Sequence, residues 1–94
     1  MRRPTQPETD AAAAILARDW DADGRIAGGL ATSYAEWGFG IADMIGNEAP
    51  FDAVVEYLGV LEEQLGVERS PLGRRIALAE RLSAAIRAAA AGRP

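Results

Sequence analysis

The chain has 94 residues, of which 49% are hydrophobic and 26% charged, with a net charge of −4. That length holds one domain at most, and the composition excludes wholesale disorder. Neither cysteine nor histidine occurs, so disulfides, thiolate chemistry, cysteine-ligated zinc and imidazole catalysis are all excluded.

The negative balance disfavours nucleic acid as a partner, because neutralising phosphates needs a basic surface. It suits a basic protein partner or cations. Twenty residues are alanine, which favours helices and thin contacts between them. All ten basic residues are arginine, which reads as a bacterial-like genome bias without mechanistic content. Met1-Arg2-Arg3-Pro4 leads into polar sequence, so no signal peptide is expected. The apolar stretch Ile26 to Ile45 carries Glu36 and Asp43, which argues against a membrane span. The expectation is a cytoplasmic protein with no membrane partner.

Residues 1–4 read as a tail. Thr5 and Glu8 have capping-box spacing with Pro7 in the first turn, Thr9 is an equally good cap, and a helix follows that runs to about Arg18. The acidic loop Asp19–Gly24 follows. A second helix is expected over about 26–45, with Ile26, Leu30, Tyr34, Trp37, Ile41 and Met44 or Ile45 at helical spacing. Beside that stripe, Ala31, Ala35, Gly38 and Ala42 form a line of small residues. Gly28, Gly29, Gly38 and Gly40 each cost about 1 kcal/mol in a helix interior. Either another helix lies very close to this surface, or the helix breaks near Gly38–Gly40.

Asn47 is placed to cap a third helix over about 49–65, with Pro50 in its first turn and Glu48 and Asp52 at its positive end. Phe51, Val54, Val55, Leu58, Leu61 and Leu65 form its apolar stripe. Gly66 fits a left-handed C-cap with Val67 as the apolar follower. Ser70-Pro71 starts a fourth helix over about 71–90, with Leu72, Ile76, Ala79, Leu82 and Ile86 inward. The short connector predicts antiparallel neighbours, so that Glu56, Glu62 and Glu63 face Arg74, Arg75 and Arg81. The fold class is therefore all-α, a small bundle of about four helices arranged as two helical hairpins. Its domain spans residues 5–90, with tails at 1–4 and 91–94.

The motif Asp19-Trp20-Asp21-Ala22-Asp23-Gly24-Arg25-Ile26 alternates three carboxylates before a glycine. Such spacing converges oxygens on a hard cation while the glycine turns the backbone. It resembles the first eight positions of an EF-hand calcium loop. The resemblance implies side-chain ligands from Asp19, Asp21 and Asp23, the backbone carbonyl of Arg25, and calcium as a possible cofactor. It covers about a tenth of the chain, and Leu30 stands where the family has its last acidic ligand. The alternative is that these aspartates cap and turn the chain. Asp21-Ala22-Asp23-Gly24 also looks like the nucleophile motif of haloacid dehalogenase-type phosphatases, but no parallel sheet can be built around it. Leu65–Ser70 faintly resembles the serine region of acyl carrier proteins, with Arg69 and Pro71 flanking Ser70 where that family differs.

Glu36 and Asp43 share a helix face, but the di-iron bundle pattern they would need includes histidine. No serine or threonine has a histidine or lysine base, so no catalytic residue is assigned. Trp20, Tyr34, Trp37 and Phe39 cluster in sequence and are the candidate partner-binding residues. The functional expectation is a non-enzymatic interaction or adaptor module using the Trp20–Ile45 region, with self-association into a homo-oligomer as one form of that role. The alternatives are a weak calcium-binding protein and an acidic neutraliser of a basic toxin or regulator.

Overall fold

A computed structural model describes residues 3–26 and 31–92 of the chain. Among the described residues the regular structure is entirely helical: α1 Gln6–Ile15, continued by a π-helical turn Leu16–Trp20, then α2 Ala31–Gly46, α3 Phe51–Gln64 and α4 Leu72–Ala91. The all-α bundle expected from the sequence is therefore present. Helix α1 packs most extensively on α2 and α4. Leu16, Ile41, Leu58, Leu82 and Ile86 are fully buried, so every helical segment contributes to one core.

Local signals account for most boundaries. Thr5 caps α1 in a full capping box, with Glu8 Oε1 accepting from the Thr5 N–H at 2.8 Å. The wider turn after Ile15 carries the Asp21 N–H to the Leu16 carbonyl at 2.9 Å. That turn sends both Trp20 and Asp21 inward, at 5% and 2% exposure. Helix α3 ends as its sequence suggests. Gly66 takes a φ of 77°, and the Gly66 and Val67 N–H groups bond the Glu63 and Glu62 carbonyls.

The end of α2 uses the same device without a glycine. Glu48 has a φ of 61°, with the Glu48 and Ala49 N–H groups bonding the carbonyls of Ile45 and Met44. Asn47 does not cap α3. Its amide donates back to the Asp43 carbonyl at 2.9 Å, and Pro50 occupies the N-cap position with no side-chain cap. Helix α2 does not break at Gly38–Gly40. A β-carbon on Gly38 would lie 2.9 Å from the Ala13 nitrogen and 3.0 Å from the Thr9 carbonyl oxygen. The glycine therefore lets the backbones of α1 and α2 come into direct contact at this position. Gly28, Gly29 and Leu30 lie outside the described residues.

Helices α3 and α4 meet differently from a long antiparallel hairpin. The connector folds back over α3, so that Arg75, in the first turn of α4, donates from Nη1 to the Val55 carbonyl at 3.2 Å. Helix α4 then leaves α3 to lie against α1. The expected line of acid–arginine pairs gives way accordingly. Arg69 of the connector pairs with Glu56 at 3.0 Å and with Glu63 at 2.9 Å. The Arg69 Nε contact to Glu63 is off-line for a hydrogen bond, so it acts as charge attraction. No helix among the described residues is long and apolar enough to cross a membrane.

Candidate functional site

Two regions have the residues to do something: the acidic loop after the π-helical turn, and a groove between the first turns of α3 and α4.

In the loop, the three aspartates do not converge. Asp19 bonds Arg18 side by side, with Nη2 to Oδ2 at 3.0 Å, and this guanidinium holds the Asp19 carboxyl below its ordinary value. Asp23 pairs with Arg25 at 2.9 Å and accepts the Arg25 N–H. Asp21 turns into the protein. Its Oδ1 accepts the Ile26 N–H at 2.9 Å, and its Oδ2 accepts the Tyr34 hydroxyl at 2.7 Å. Tyr34 is pushed up from its ordinary value, first by that hydrogen bond and then by burial and the carboxylate charge. Gly24 makes the turn that returns Ile26 to Asp21. Among the described residues no group of three carboxylates could hold a metal ion. The loop's geometry is that of a hydrogen-bonded turn, and Leu30, at the position of the missing ligand, lies outside the described residues.

Below this loop sits a second buried carboxylate. Glu62, 2% exposed, accepts Trp20 Nε1 at 3.1 Å, the Ser70 N–H at 2.8 Å and Ser70 Oγ at 2.5 Å. Ser70 therefore clamps the connector to α3 and does not cap α4, whose N-cap position is Pro71. A hydroxyl on a carboxylate resembles a nucleophile beside its base. Here the carboxylate also carries the indole and a backbone N–H, so three hydrogen bonds tie it into holding three segments together. A cleft of about 290 Å³ opens beside it, lined by Asp23, Arg25, Glu68 and Arg74 among others.

The candidate partner-binding aromatics divide. Trp20 and Tyr34 are core residues, at 5% and 7% exposure. Trp37 packs between them edge-on, with ring centroids 5.5 Å from Trp20 and 6.0 Å from Tyr34. Only Phe39 of the four is exposed, at 39%. An aromatic cluster in this segment builds the end of the core and leaves little for a partner.

The groove lies elsewhere. Phe51, Val55, Leu72 and Ile76 line about 330 Å³ of open space, with Asp52 and Arg75 at its sides. Phe51 and Leu72 open their helices on the apolar stripes, and Ile76 follows one turn later, yet they are 40%, 58% and 36% exposed. Sequence periodicity put all three inward. The helices bring them to one groove, and nothing among the described residues covers it. Comparison with known protein families, curated proteins and solved structures finds no match.

Proposed function

We propose that the chain is a non-enzymatic protein-interaction module whose contact surface is the groove between α3 and α4. One observation carries this reading: Phe51, Leu72 and Ile76, each in phase with a buried stripe, stand exposed around a single groove. Contiguous exposed apolar side chains of this size mark contact surfaces more than scattered ones do. The lack of histidine and cysteine in all 94 residues supports a role without turnover. So does the engagement of both buried loop-end carboxylates in internal hydrogen bonds. The interaction role expected from the sequence is kept, and its surface moves from the Trp20–Ile45 segment to the start of α3 and α4.

A photo-crosslinking residue placed at position 72 and, separately, at position 84 tests this in cells. Ala84 is exposed on the same helix, away from the groove. The expected result is a discrete protein adduct from position 72 and none from position 84. No adduct of any kind from position 72 would remove the reading.

A further inference from the structure

The groove also carries information about its occupant, given the reading of it as a contact surface. It holds one carboxylate and one guanidinium that form no ion pair within the described residues. On α3, Asp52 is exposed and its carboxylate makes no hydrogen bond or ion pair with the described residues. On the α4 side, Arg75 donates from Nε to the Ser70 carbonyl and from Nη1 to the Val55 carbonyl. It forms no ion pair with the described residues, although its charge helps hold the Glu56 carboxyl below its ordinary value, after the larger effect of Arg69. The first turn of α4 holds no acidic residue, and Pro71 supplies no side-chain cap, so the positive end of that helix adds to the same side. Glu56, the other acid at the groove, is already paired with Arg69.

A purely basic partner would meet one free carboxylate and be repelled by Arg75 and the helix end. A purely acidic partner would be repelled by Asp52. The surface that satisfies both sides is one with the same polarity turned around. Shape agrees with charge: the patch holds a hollow of about 330 Å³ and, at its rim, the most exposed large apolar side chain in the described residues, Leu72 at 58%. A patch that contains both members of each complementary pair fits a copy of itself across a twofold axis, where residue i meets j and j meets i. The geometry points to a second copy of this chain as the occupant. In that dimer Leu72 of each copy enters the hollow of the other, and Asp52 of each faces Arg75 and the α4 N-terminus of the other.

Sedimentation velocity on the full chain, from about ten micromolar to about one millimolar, tests the inference. Wild type is compared with Leu72→Glu, Asp52→Arg and Glu36→Arg, and circular dichroism checks that each remains helical. Glu36 is exposed on α2 outside the groove, so Glu36→Arg makes the same charge change as Asp52→Arg at a neutral place. The expected result is a reversible monomer–dimer equilibrium. Leu72→Glu and Asp52→Arg each weaken it about tenfold or more, and Glu36→Arg leaves it unchanged. A wild type that stays monomeric throughout overturns the inference, as does a dimer indifferent to both groove substitutions. A monomer that still crosslinks from position 72 to a different protein overturns the second copy alone and leaves the interaction reading standing.

Discussion

Glu62 holds an indole, a hydroxyl and a backbone N–H at once, so its removal should be felt in three segments. Glu62→Gln keeps the shape but leaves one carbonyl acceptor and turns an NH2 toward donors. A loss of about 1–3 kcal/mol is expected in chemical denaturation, with a change in Trp20 emission. Glu48 presents the opposite case. Its left-handed backbone costs a side-chain-bearing residue about 1 kcal/mol, so Glu48→Gly should raise stability by up to about that amount. Tyr34 gives a pH signature. Its folded pKa lies above the unfolded value, so its bond to Asp21 contributes stability that is fully present below the ordinary tyrosine range. That contribution is lost as pH rises through the folded value. Phenolate absorbance should show one late-titrating tyrosine, absent in Tyr34→Phe, and the variant's stability should decline less steeply on the alkaline side.

Among the elements, the crossing of α1 and α2 is set by one hydrogen atom. The neighbours of a Gly38 β-carbon are backbone atoms of α1, which cannot swing aside, so Gly38→Ala should cost about 1–3 kcal/mol or more. Gly73 in α4 has nothing within 4 Å, and Gly73→Ala should gain up to about 1 kcal/mol. Thermal melts of the two variants should move in opposite directions. The same contrast explains what could be read from the chain beforehand. The Thr5–Glu8 box and the Gly66 cap were legible because both partners lie within a few residues. Asn47 and Ser70 had equally good cap sequences, but Asp43 and Glu62 engage their side chains instead. The Ser70–Glu62 bond depends on how the connector folds back, which no local pattern encodes. For the acidic loop, spacing alone could not tell that Arg18 and Arg25 neutralise two aspartates while Tyr34 draws the third inward.

At the scale of the whole chain, four helices were evident from periodicity, because a stripe of apolar residues states which face is inward. It does not state how far along the helix the cover extends. Phe51, Leu72 and Ile76 were indistinguishable by spacing from Val54, Leu82 and Ile86, and only the cover supplied by the other helices separates them. Stability of a domain this size is about 5–15 kcal/mol. Leu16 is wholly buried at the start of the π-helical turn, so Leu16→Ala should remove about 2–5 kcal/mol of that margin, read as a lowered denaturation midpoint by circular dichroism. The two tryptophans sit edge-on to each other at that same end of the molecule. Intrinsic emission therefore watches one pole of the bundle and is blind to fraying at the alanine-rich C-terminus of α4. Their perpendicular stacking should also give a near-ultraviolet dichroic band that vanishes as soon as this pole loosens, even while the helices persist.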